Sequence, residues 1–212
     1  MAKRDYQNEY PSVTTILGVL RKISLEMWFK WNTAAFCDKE SNEGKTIGIQ
    51  IHEAIQQHID KEEVKIETQY GEQVMNALNA FMLFKKEHPE IKLKRAEMQL
   101  TSEDFGYNGT LDCIGKIGKE LVLLDWKTSK AKDKDKPEIY DEFRYQVAAY
   151  VSAFNETQEG KVIKAYILVL AKDKIVYNLE EIPMDEINAM FAEVFLPALR
   201  IWKYQHKKGG KQ

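Results

Sequence analysis

The chain predicts a mixed α/β fold, one central sheet with helices on its faces, and three observations carry that prediction. Residues 106–129 (GYNGTLDCIGKIGKELVLLDWKTS) read as a β-hairpin. The first 90 residues are patterned mainly for helices, and a further helical stretch separates the hairpin from a second pair of strands. The order helix, strand, strand, strand, helix, strand fits a mixed sheet covered by helices.

Taken in order, residues 1–10 are polar and lead into Pro11. Ser12 can cap a helix whose apolar face uses Val13, Ile16, Leu17 and Leu20. A second helix, about 24–37, carries Leu25, Trp28, Phe29, Trp31 and Phe36, and packing accounts for most of these rings. One of the two tryptophans is also a candidate platform for an unpaired base. After the polar break Ser41-Asn42-Glu43-Gly44, a third helix runs through Ile47, Ile51, Ala54 and Ile55. On it Gly48 and His52 are four apart and share a face, and Gly48 lets another backbone come close. A lone helical histidine is more often structural than a ligand. Residues 60–69 are charged and solvated. A fourth helix, about 70–87, has Val74, Leu78, Phe81, Met82 and Phe84 as its core side and stops before Pro89. A strand follows at about 91–101 with Glu97 near its middle. Glu97 faces solvent unless this strand lies beside the hairpin with Glu97 turned toward Asp112.

In the hairpin, Gly106 to Lys116 alternates as a half-buried strand does, and Leu121 to Leu124 is a continuous apolar run typical of a central strand. Gly118-Lys119 suits a two-residue type II′ turn, which fixes the register. Asp112 then lies opposite Asp125, with Cβ atoms roughly 4.5–5.5 Å apart, where two like charges destabilise a sheet unless something compensates them. A divalent cation would do so. Lys127 emerges on the Asp125 face and Trp126 on the other. Residues 129–137 (SKAKDKDKP) read as a solvated linker, although Lys130 and Lys132 leave the strand where they could meet phosphates. A helix at about 138–156 buries Phe143, Val147, Val151 and Phe154, with Gln146 and Tyr150 beside that stripe. Strands at 161–171 and 174–180 flank Lys172-Asp173. A last helix, about 184–206, presents Ile187, Met190, Val194 and Ile201, should kink at Pro197, and ends in a basic tail.

Composition narrows the class. With 212 residues, 44% hydrophobic and 11% aromatic, one domain spanning 1–212 is expected: a helical part to residue 90, a sheet core over 91–182, and a helix with its tail over 183–212. A formal charge of -2 excludes binding of nucleic acid by bulk attraction, so phosphate binding needs a local patch or a metal. Cys37 and Cys113 lack CxxC spacing, which argues for a reducing compartment and against zinc or iron–sulfur. MAKRDYQNEYPS has no secretory core and carries acids that a mitochondrial presequence avoids. No run approaches the roughly 18 apolar residues of a membrane span. A soluble intracellular protein is expected.

Asp112 followed by Asp125-Trp126-Lys127 resembles the D…(D/E)xK signature of the PD-(D/E)xK nuclease superfamily, sharpened by GTLD before the first acid and LLDWKTS around the second. Gly48-Ile49-Gln50-Ile51-His52 is similar to the GxxxH motif of its RecB-like branch, and Gln146 with Tyr150 to its QxxxY motif. PSVTTIL at 11–17, the tryptophans after it and GTLDCIG look like the mitochondrial genome-maintenance exonuclease group and its bacteriophage relatives. The resemblance implies a restriction-endonuclease-like core and a metal-dependent exonuclease acting on single-stranded DNA or frayed ends. It implies that His52, Asp112, Asp125 and the Trp126 backbone carbonyl hold Mg²⁺ or Mn²⁺. Glu97 would hold a second ion or a water on the metal, and Lys127 would orient or deprotonate the attacking water. Gln146, Tyr150, Thr128, Lys130, Ser12 and Thr14 are the implied substrate contacts. The four cysteines of the iron–sulfur relatives are missing, so no cluster is expected. The lack of a transit peptide points to a phage-encoded or bacterial protein in the host cytoplasm. DNA is the implied partner, a recombination or replication protein a further candidate, and no membrane is involved. Two other readings stay open: a structure-specific endonuclease of the same superfamily, and a nuclease-fold protein that only binds nucleic acid.

Overall fold

The computed structural model describes residues 9–66 and 68–207. Four helices come first: α1 (Val13–Leu17), α2 (Ile23–Trp31), α3 (Ala34–Ile59) and α4 (Gly71–Glu87). Ser12 caps α1, its hydroxyl accepting from the Thr15 N–H at 3.2 Å. The expected second helix is split. Asn32 is extended, and Thr33 restarts the chain as the cap of α3, accepting from the Phe36 N–H. The polar stretch Ser41-Asn42-Glu43-Gly44 is not a break but part of the 26-residue α3. A single helical glycine costs only about 1 kcal/mol, which the tertiary packing of so long a helix outweighs.

Five strands then form one sheet in the order β1 (Ile91–Ser102), β2 (Tyr107–Ile117), β3 (Glu120–Ser129), β4 (Val162–Ala171) and β5 (Tyr177–Pro183). The first three are an antiparallel meander, β4 lies parallel to β3, and β5 returns antiparallel. The parallel step requires a crossover, and α5 (Asp141–Thr157) supplies it. Gly118 has φ 60° while Lys119 stays out of the left-handed region, as a type II′ turn demands. The predicted register holds, with Cys113 opposite Leu124 and Ile117 opposite Glu120.

The sheet separates two cores. Leu123 and Leu111 face α1 and α5, whereas Val122, Leu124 and Trp126 face α3 and α4. α6 (Met184–Met190), a π-helical turn (Phe191–Phe195) and α7 (Leu196–Lys207) close the first side. The expected kink at Pro197 takes the form of that π turn, since proline lacks the N–H that would continue the α-helical ladder. The basic tail beyond residue 207 and the first eight residues lie outside the described residues. No helix among the described residues is long and apolar enough to cross a membrane.

Candidate active site

The alternation of β2 slips at one point. Leu111 and Ile114 face the α5 side, but Cys113 between them faces α3. At that slip the β2–β3 ladder ends, its last pair being Cys113 with Leu124. Asp112 and Asp125 would be the next pair, as the hairpin register requires, but the Asp112 side chain takes the place of the backbone partner. Its Oδ2 accepts from the Trp126 N–H at 2.8 Å. A buried carboxylate thus plugs the point where the two strands part.

Three elements bring groups to it. His52 comes from α3, with Nδ1 3.4 Å from Asp112 Oδ1 and 3.8 Å from Glu97 Oε1. Glu97 comes from β1, where it takes a left-handed φ of 51° opposite the slip in β2. For a glutamate this is strained by about 1–3 kcal/mol, and such strain collects at functional sites. The turn aims Glu97 at Asp112, the orientation its functional reading needed. One donor atom from each of His52, Glu97 and Asp112 lies within 4.8 Å of the others. β3 contributes Asp125 and Lys127 from its α5 face, with Lys127 Nζ 2.5 Å from Asp125 Oδ2 and 5.8 Å from the Phe143 ring centre.

Electrostatics tie these groups together. Burial opposes a charged His52, yet the Asp112 carboxylate, helped by Glu97, lifts its pKa to about 9. Burial would raise Asp112, but the His52 imidazolium and then Lys127 hold it below the usual range. Burial pushes Asp125 up to about 7; the Lys127 ammonium pulls against this, and the Asp112 charge adds to the rise. Asp125 is only 1% exposed, and apart from the ion pair with Lys127 its carboxylate oxygens make no hydrogen bond among the described residues. His52 Nδ1 makes none either. Buried polar atoms held only by neighbouring charges are costly, and hard oxygens with one imidazole are a donor set that suits a divalent cation. The residues present therefore fit a metal.

The remaining predicted residues have varied placements. Gly48 serves the close approach expected of it: a Cβ there would sit 3.6 Å from Thr128 Oγ1, so α3 rests directly on β3. Gln146 Nε2 donates to the Tyr150 hydroxyl at 2.6 Å, but Tyr150 is buried, its ring against Gly109. Its ring therefore has no face to offer a base, and Tyr150 instead orients Gln146. A Cβ on Gly109 would meet that ring at 2.7 Å. Gly109→Ala should cost about 1–3 kcal/mol of stability in a urea titration. Glu97→Gly should raise stability by about 1 kcal/mol in the same assay, by relieving the left-handed strain, while weakening metal binding. The Ser12 hydroxyl is engaged with Thr14 and Thr15, and Thr14 is exposed. Lys130 Nζ is 3.5 Å from Glu40.

Two expectations are corrected. The lysine-rich segment after β3 is not a loose linker: Asp173 accepts from the Ala131 and Lys132 N–H groups at 2.8 Å each, and Lys174 Nζ donates to the Lys132 and Lys134 carbonyls. The rings of the second helix are not mainly core either, since Trp31 is 76% exposed and Phe29 and Phe36 nearly half. Together these segments bound a cavity of about 650 Å³ lined by Trp28, Phe36, Tyr140, Thr128, Lys130 and Lys172, among others. Tyr140 and Lys172 were not singled out in the sequence; each belongs to a different distant segment, and no periodicity joins them.

Comparison with known proteins finds nuclease relatives. The chain is 30% identical over 136 residues to mitochondrial genome maintenance exonuclease 1 of Xenopus tropicalis, covering 59% of this chain and 36% of that protein. The human protein of the same name is 27% identical over 180 residues, covering 76% and 50%. The exonuclease/helicase subunit RexA of Streptococcus pneumoniae is 28% identical over 129 residues, covering 60% and 10%. The chain thus spans half or less of each of these relatives. A candidate exonuclease from Eubacterium rectale shares the fold at a TM-score of 0.52 and 13% identity, covering 76% of this chain and 68% of that one. The PD-(D/E)XK nuclease superfamily model matches residues 28–201, a span that contains every group of the cluster, and the chain belongs to that superfamily.

Proposed function

We propose that the protein is a metal-dependent DNA exonuclease that hydrolyses phosphodiester bonds in single strands or frayed ends. The observation that carries this is the convergence of His52, Glu97 and Asp112 beside the Lys127–Asp125 pair. Asp112, Asp125 and His52 would hold the ion with the Trp126 carbonyl, and Glu97 would hold a second ion or a coordinated water. Mg²⁺ or Mn²⁺ is the fitting ion, the imidazole making Mn²⁺ especially acceptable. Bound there, it supplies Lewis-acid charge to the scissile phosphate and eases the ionisation of water. Lys127, fixed by Asp125 and Phe143, orients the attacking water through its ammonium and presents positive charge to the transition state. Gln146, held by Tyr150, reaches the strand.

The cavity beyond β3 supports the single-strand reading. Indole and phenol faces beside lysines suit unstacked bases and their phosphates, and a duplex offers no base faces to such a pocket. Trp28→Ala should weaken binding of single-stranded DNA by about 1–3 kcal/mol and leave duplex binding nearly unchanged, by fluorescence anisotropy in chelator. A phage or bacterial replication or recombination setting suits such an activity.

End-labelled linear DNA, single- and double-stranded, and a circular single strand, each with Mg²⁺, Mn²⁺ or chelator, test the proposal. Mononucleotide release from linear single strands alone is the expected result. Cutting of the circle would favour an endonuclease, and no hydrolysis with either ion would overturn the proposal.

A further inference from the structure

We infer that the groove between the end of α3, the end of α4 and the first half of β1 binds backbone phosphates of the DNA strand whose terminus lies in the active site. This inference rests on the nuclease reading above. The groove has a volume of about 540 Å³, and its polar lining is His58, Lys61, Lys85, Lys92 and Lys94 over an apolar floor that includes Ile91. Among the described residues, no carboxylate lines it. That is unusual in a chain of net charge -2. Of the neighbouring acids, Glu90 is committed to His88 at 3.3 Å, Glu87 to the Tyr177 hydroxyl and Glu63 to Lys65, while Asp60 and Glu62 flank Lys61 in sequence without lining the groove.

Lysines on an edge strand have a simpler explanation, since they keep other strands from pairing with it. That covers Lys92 and Lys94, but not Lys61, which follows the C-cap of α3, nor Lys85, which lies on α4. Lys94 sits in the β-bulge of β1, between the Leu93 and Arg95 pairs. Lys85 Nζ is 2.7 Å from His58 Nε2, so that nitrogen is the acceptor and the imidazole is neutral. Burial and the Lys85 charge both lower the His58 pKa, consistent with that state. The groove is thus a cationic surface whose lining offers no counter-ion, which a polyanion would supply.

Its position follows from the two elements that build the cluster. From His52 to His58 is six residues of α3, roughly 9 Å. From Glu97 back to Lys94 is three residues of β1, roughly 10 Å. Both paths leave the cluster and arrive at the groove, so the separation is a few phosphates along one strand. The strand end is cut at the cluster while the groove grips the backbone behind it.

The test compares wild type with Lys85→Gln/Lys92→Gln/Lys94→Gln and with Lys92→Glu/Lys94→Glu, whose two sites are exposed. Binding of a long single-stranded oligonucleotide is measured against salt in chelator, and turnover of a dinucleotide too short to reach the groove is measured with Mn²⁺. The triple variant should lose about 2 from the slope of log K on log salt and about tenfold in affinity, with dinucleotide turnover unchanged. The charge-reversed pair should bind more weakly than wild type as well. Unchanged slope and affinity in both variants, with wild-type hydrolysis intact, would discard the groove and keep the nuclease. A wild type that cuts nothing yet shows the loss of slope would keep the groove and discard the nuclease.

Discussion

Lys127→Met should lower turnover on single-stranded DNA by about a hundred- to ten-thousandfold, far more than it changes divalent-ion affinity. Methionine keeps the length and apolar stem that pack toward Phe143, so what is lost is the ammonium 2.5 Å from Asp125 Oδ2. Without it the attacking water has no orienting charge. Asp125 also loses its nearest cation, and its pKa, already lifted to about 7 by burial, rises further. The variant should therefore be less stable than wild type in chelator above neutral pH, where Asp125 would have to carry a buried charge, and recover on addition of metal. Single-turnover kinetics with calorimetric titration of Mn²⁺ separate the two effects. A variant with near wild-type turnover would remove Lys127 from the mechanism.

Asp112→Asn should be more severe, with turnover down by about a thousandfold or more and metal affinity lost with it. Asparagine retains an oxygen for the Trp126 N–H, so the strand junction survives and the loss is electrostatic. A second consequence is visible without metal. His52 is lifted to about 9 from an ordinary value near 6.5, and a group whose folded pKa is raised stabilises the fold below its unfolded pKa and loses that contribution as pH rises through the folded one. Wild type in chelator should therefore lose stability between about pH 6.5 and 9. Asp112→Asn should be nearly flat across that window, because the carboxylate that lifts His52 is gone. Denaturation at several pH values, with chelator throughout, checks both curves.

Much of this site was legible because it is written in local geometry. One glycine in a two-residue turn fixed the hairpin register, and that register placed Asp112 next to Asp125 and Lys127 on the same face as Asp125. Gly48 and His52 could be put on one helical face by spacing alone. What spacing could not supply was the slip of alternation at Asp112, which turns the carboxylate into the strand junction and lets it accept from Trp126. Nor could it reveal the left-handed turn of Glu97, a conformation a glutamate adopts only when its surroundings enforce it. The aromatic helix misled for a related reason: amphipathic spacing says which residues share a face, not whether that face meets protein or solvent. Likewise, a lysine-rich run reads as solvated until the fold brings Asp173 and Lys174 to its backbone.

A manganese anomalous difference map tests the account most directly. Crystals soaked in Mn²⁺ should show a peak at about 2.0–2.4 Å from Asp112 and Asp125 oxygens and a His52 nitrogen, with Lys127 close by but not coordinating. A map with no peak among these side chains at saturating Mn²⁺, or with the ion bound elsewhere while they keep their present positions, would contradict it.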